Sequence, residues 1–101
     1  MATPLSVRTS LVDGTAVLSV AGEIDMSNVG VFTTAIADAM VPASHDGGVL
    51  TIDLTRVEYL DSAGIGALFD QADRIRLIVN PMLMPVLRVS GLTNVTSVIA
   101  R

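Results

Sequence analysis

The stretch Val49–Phe69, V-L-T-I-D-L-T-R-V-E-Y-L-D-S-A-G-I-G-A-L-F, changes its hydrophobic period part-way along, and few folds accommodate that change. In its first half Leu50, Ile52 and Leu54 alternate with Thr51 and Asp53, the period of two that a pleated strand imposes. From Ser62 onward Ile65, Leu68, Phe69 and Ala72 fall at i, i+3, i+4 and i+7, on one face of a helix. A buried strand, a short acidic connection and a helix opening at Asp61-Ser62-Ala63-Gly64 are therefore predicted. A helix start leaves backbone N–H groups unpaired, and the Ser62 hydroxyl is placed either to cap them or to carry a phosphate beside them.

The rest of the chain supplies partners for this unit. Leu5, Val7, Thr9 and Leu11 alternate with Ser6, Arg8 and Ser10 as a half-exposed edge strand does, and Asp13-Gly14 is a tight hairpin turn. Ala16, Leu18 and Val20 form the returning strand, which is predicted to end at Gly22. The loop Gly22–Asn28 leads into a helix that Ser27 or Asn28 can cap, with Val29, Phe32, Ile36 and Met40 on its apolar face and Pro42 as its stop. A polar, glycine-rich loop runs from Pro42 to Gly48 and contains the lone His45. Ile75, Leu77 and Val79 alternate with Arg74 and Arg76 in a further strand ending at Asn80-Pro81, so the helix before it is short. Met82 to Ser90 reads as one more helix stopped by Gly91, with Pro85 acceptable only in its first turn. Val95 to Ile99 reads as a last strand or a frayed tail. The order β-β-α-β-α-β-α-β implies an α/β fold, a mixed and mostly parallel sheet of about four or five strands with helices packed on it through right-handed crossovers.

At 101 residues the chain suits one domain, 1–101, rather than two. Half of it is hydrophobic with few aromatics, so Val, Leu, Ile, Ala and Met must fill the core. Met26, Met82 and Met84 are read as part of that filling. Without Cys there is no disulfide framework. No window approaches the roughly 20 apolar residues of a membrane span, and the first ten residues lack a basic segment followed by an apolar run. A cytoplasmic protein without membrane insertion is expected. The net charge is −4 and all six basic residues are scattered arginines, which argues against a nucleic-acid partner.

Ligands of parallel sheets bind at the carboxyl ends of the strands. Here those ends carry Glu23, Asp25, Glu58, Asp61 and Ser62. A serine nucleophile fits poorly: Gly64 matches the second glycine of a G-x-S-x-G elbow, but Leu60 stands where the first belongs, and His45 lies at the other end of the central strand. With no Lys a phosphate-binding P-loop fails as well. A carboxylate metal site from Asp25, Asp61 and Glu58 has no diagnostic spacing, and no cofactor is expected. The small residues Ala63, Gly64 and Gly66 leave two readings open: close approach of a partner backbone, or relief of crowding against the sheet.

The run Ile52-Asp53-Leu54 through Asp61-Ser62-Ala63-Gly64-Ile65-Gly66-Ala67-Leu68 resembles the signature of STAS domains, and specifically of bacterial anti-sigma factor antagonists. Gly22-Glu23-Ile24-Asp25, Leu77-Ile78-Val79-Asn80-Pro81 and Val86–Leu92 agree with it in order and approximate spacing. The resemblance implies a non-enzymatic binding protein. In its unphosphorylated form it would bind an anti-sigma factor serine kinase and release the sigma factor. Phosphorylation of Ser62 would reverse this, and a serine phosphatase would reset it. It also implies a partner surface around Glu23, Asp25, Asp61, Ala63, Gly64 and Ile65. The trimmed second helix and Pro85 depart from the family pattern. Other classes with the same resemblance are an adaptor subunit of a membrane transporter ATPase and a stress-signalling scaffold, neither needing phosphorylation.

Overall fold

The structure, a computed structural model, describes residues 4–101. The start of the N-terminal segment in which no leader is expected, Met1 to Thr3, lies outside the described residues. Asp13 and Gly14 both take positive φ, 53° and 81°, the backbone of a two-residue turn whose twist matches a hairpin. That turn joins β1 (Ser6–Val12) to β2 (Thr15–Ile24), antiparallel, with Val12 opposite Thr15. β3 (Leu50–Leu60), β4 (Ile75–Val79) and β5 (Ser97–Ala100) then add in parallel, giving the order β1-β2-β3-β4-β5. The helices are α1 (Val29–Ala43), α2 (Ser62–Phe69) and α3 (Met84–Ser90). The mixed, mostly parallel sheet and its element order are those expected, and β5 is the last strand.

One apolar cluster joins Leu18, Val20 and Ile24 of β2, Ile52 and Leu54 of β3 and Leu77 of β4 to Phe32, Ile36, Leu68 and Leu87 of the helices. All three helices therefore cover one face of the sheet. Polar side chains such as Ser19 and Asp53, which alternate with the core residues, face the other way.

Several boundaries differ from expectation. β2 runs past Gly22 to Ile24, and β3 continues through what reads as an acidic connection to Leu60, so Glu23 and Glu58 lie in strands rather than after them. The reason is a pair of register shifts between β2 and β3, at Ser19/Ala21 and Gly22/Glu23. Each inserts an extra residue on β3, which is how Leu54, Val57 and Leu60, spaced by three, are all buried. Alternation cannot reveal a strand interrupted in this way.

α1 does not stop at Pro42, which sits in its last turn; buried Ala39 and Ala43, one turn apart, hold that turn against the core. In α2 the buried set is Gly64, Ile65, Ala67 and Leu68, while Phe69 is exposed and Ala72 lies in a separate 3₁₀ turn. Pro85 occupies the first turn of α3, and Gly91, at φ 85°, ends it. Met84 packs on the core, but Met26 and Met82 are 78% and 75% exposed, so neither is the core filling expected of it.

Candidate functional site at the carboxyl end of the sheet

β2 and β3 end side by side, with Ile24 opposite Leu60 and the Asp61 N–H donating to the Ile24 carbonyl at 3.1 Å. Each strand then feeds a helix on the same face, so the two βα junctions are neighbours. The second is organised by Asp61. Its Oδ1 accepts the N–H groups of Ala63 at 2.9 Å and Gly64 at 3.1 Å, a regular N-cap of α2. Its Oδ2 accepts the Met26 N–H at 3.0 Å, across to the other junction. One carboxylate thus caps a helix and ties two loops together.

Asp61, not Ser62, is therefore the cap. Ser62 is the first residue of α2 and is exposed, and its hydroxyl has no hydrogen bond within the described structure. Of the two roles open to that hydroxyl, the capping one is occupied by its neighbour.

The first junction is built differently. Asn28 stands at the N-cap position of α1 but does not cap it. Its side chain turns back into the loop, where Oδ1 accepts the Asp25 N–H and Nδ2 donates to the Glu23 carbonyl, both at 2.9 Å. Nor does Ser27 cap: its N–H and hydroxyl both donate to Asp25 Oδ1. These bonds favour the charged carboxylate, so Asp25 is held below its usual pKa of 3.8, the Ser27 hydroxyl contributing most.

The structure brings Asp25, Asp61 and Ser62 together. Glu23 and Glu58 lie lower, within their strands, and neither is without a partner. Ala63 is half-buried, and Gly64 and Ile65 are buried, so these three shape the surface from beneath. A Cβ on Gly64 would overlap Leu60 Cδ1 and come within 2.9 Å of Ile24 Cγ2. Crowding against the sheet accounts for that glycine. At Gly66 nothing lies within 4 Å of the same position, and the residue is exposed, which leaves room for a partner. Sequence reasoning missed the exposed Met26, the Asp61 bridge and the inward turn of Asn28. A carboxylate immediately before the helix was the available signal for the cap.

His45 is exposed in a 3₁₀ turn preceding β3, and the whole of β3 separates it from Ser62. Among the described residues no group of three or more His, Cys, Asp or Glu could hold a metal ion. Both Asp61 oxygens accept backbone N–H groups. Among the same residues no helix is long and apolar enough to cross a membrane.

A family model described as "Mlab, STAS domain" matches residues 7–99. The chain belongs to the STAS domain family. Anti-sigma-F factor antagonist RsfB of Mycobacterium tuberculosis is 34% identical over 77 residues, 74% of this STAS chain and 61% of that protein. The chain thus spans about three fifths of the length of this curated relative. Among solved structures, an anti-sigma factor antagonist from Mycobacterium paratuberculosis superposes with a TM-score of 0.83 at 24% identity, over 95% of this chain and 86% of that one. The anti-sigma factor antagonist SpoIIAA in its unphosphorylated form gives 0.71 at 20% identity, over 95% and 88%. These two likenesses establish the fold.

Proposed function

We propose that this STAS domain is an anti-sigma factor antagonist whose binding is switched by phosphorylation of Ser62. The observation that carries the reading is the division of labour at the start of α2: Asp61 caps the helix, leaving an exposed Ser62 hydroxyl with no structural task. Its curated relative bears the name of an anti-sigma factor antagonist, which supports the same reading. In this account the unphosphorylated protein docks the end of the sheet around Asp25, Asp61 and Ser62 on an anti-sigma factor that is also a serine kinase, releasing the sigma factor. A serine phosphatase restores the active form. The domain is a binding module in the cytoplasm and performs no catalysis.

Electrostatics alone suffices for the switch. A phosphate brings about −1.5 to −2 charge. At the N-terminus of α2 it is tolerated or mildly favourable, by about 0.3 to 1 kcal/mol, so the fold survives. A partner carboxylate about 6 Å away would be opposed by about 1.4 kcal/mol at the dielectric of water and about 5.5 at an effective value near 20. That weakens binding roughly ten to ten thousand fold.

The test is binding of wild type, Ser62→Ala and Ser62→Asp to the host's anti-sigma factor kinase, with phosphate mapped after ATP is added. Ser62→Ala is expected to bind normally and accept no phosphate, and Ser62→Asp to bind more weakly. Phosphate found elsewhere with Ser62 unmodified overturns the assignment. If a transporter ATPase is bound instead, and equally by all three, the adaptor role replaces the antagonist one.

A further inference from the structure

The sheet face without helices holds a groove of about 470 Å³ over β1, β2 and β3, lined by Ser6, Arg8, Ser10, Ser19, Asp53 and Arg56 among others. The register explains its composition. Arg8, Ser19 and Asp53 stand in one row across the three strands, and Ser6, Ala21 and Arg56 in the next. The β3 irregularity between these rows decides where Arg56 points. With unbroken alternation from Asp53, Arg56 would fall on the core face and Val57 on the open one. The extra residue reverses this, so Val57 is fully buried and Arg56 is exposed in the groove. Irregularities that re-aim a side chain recur beside binding sites.

The charges in the groove are unbalanced. Neither Arg8 nor Arg56 is paired with a carboxylate among the described residues. Asp53, the one acid in the lining, already gives Oδ1 to the Thr55 N–H at 2.9 Å and the Thr55 hydroxyl at 2.7 Å. In a chain of net charge −4 this is a local excess of unengaged cation. Arg8 lies on an edge strand, where a charge discourages pairing with another sheet. Arg56 is on β3, paired with Ala21 of β2 and two residues beyond the end of the β3–β4 ladder at Leu54.

We propose that the groove binds a small hydroxylated oxyanion, a phosphate ester or a hydroxy acid. Guanidinium groups match either anion in geometry and charge. The Ser6, Ser10 and Ser19 hydroxyls and the remaining oxygen of Asp53 are suited to the ligand's hydroxyl groups. The volume falls in the range of small-molecule sites, about 300 to 1,000 Å³. The site is separate from Ser62, so its occupancy does not depend on the switch.

Backbone amide NMR of the whole chain, titrated in parallel with glycerol 3-phosphate and with malate, tests this. Saturable shifts are expected at Ser6, Arg8, Ser19 and Arg56 with at least one probe, half-saturated at about 1 mM or below. The tighter of the two probes identifies the anion. Arg8→Gln and Arg56→Gln alter exposed residues and should keep the native spectrum, yet each should weaken binding about tenfold or more, whereas Ser62→Asp should not. Shifts that fail to saturate with both probes, map outside the groove, or persist unchanged in both arginine variants overturn the proposal.

Discussion

The two helix starts at the end of the sheet look interchangeable in sequence and are opposite in construction. Before α2, Asp61 points forward, caps the helix and leaves the next serine exposed. Before α1, Asn28 points backward and spends its amide on the loop, while Asp25 holds Ser27 by two hydrogen bonds. One junction presents an exposed hydroxyl and the other fixes the ground beside it. Asp61 belongs to both, through the Met26 N–H. What differs is where the carboxylate stands: immediately before a helix it caps, whereas three residues earlier it closes a turn of its own.

The largest expected effect sharpens this contrast within α2. Gly64→Ala should destabilise by about 1 to 3 kcal/mol, because the methyl group collides with Leu60 and Ile24 beneath it. Gly66→Ala, with open space around it, should instead stabilise by about 0.5 to 1 kcal/mol. Urea denaturation of both variants checks the opposite signs. Equal effects would mean that α2 does not sit on the sheet as described.

Next in size, Asp61→Ala should cost about 1 to 2 kcal/mol and disturb both junctions. Asn28→Ala should cost about 1 kcal/mol and disturb only the first. Amide hydrogen exchange reads this directly: the Met26, Ala63 and Gly64 amides should lose protection in Asp61→Ala, and those of Ala63 and Gly64 should keep it in Asn28→Ala.

The smallest effect concerns pH. Because the folded pKa of Asp25 lies below 3.8, its hydrogen bonds contribute stability above about that pH and lose it as pH falls through the lower folded value. Carboxyl titration by NMR should find Asp25 below 3.8 in the wild type and shifted upward, towards 3.8, in Ser27→Ala. An unchanged midpoint would separate Ser27 from Asp25.

Much of the architecture was legible because local signals were unambiguous. Asp13-Gly14 dictates the hairpin, the alternation of Ile75, Leu77 and Val79 dictates β4, and Gly91 ends α3 where a left-handed residue is needed. The failures share a cause in tertiary context. The strand from Arg56 to Leu60 is invisible to a period-two search because two inserted residues reset its phase. Pro42 fails to stop α1 because packing of Ala39 and Ala43 outweighs a local preference. The sequence places Asp25, Asp61 and Ser62 at one end of the sheet, as the structure does, but it does not single out Asp61 as the cap of α2 and expects from Ser27 or Asn28 a cap that α1 lacks. The signal for the α2 cap was the carboxylate of Asp61, the residue immediately before the helix.

The central claim is that one phosphate on Ser62 changes binding without changing the fold. The direct measurement is calorimetric titration of the anti-sigma factor kinase with unphosphorylated and Ser62-phosphorylated protein, each checked by circular dichroism. The account predicts superimposable spectra and an affinity weaker by roughly ten to ten thousand fold for the phosphorylated form. Equal affinities, or a loss of binding accompanied by unfolding, would contradict it.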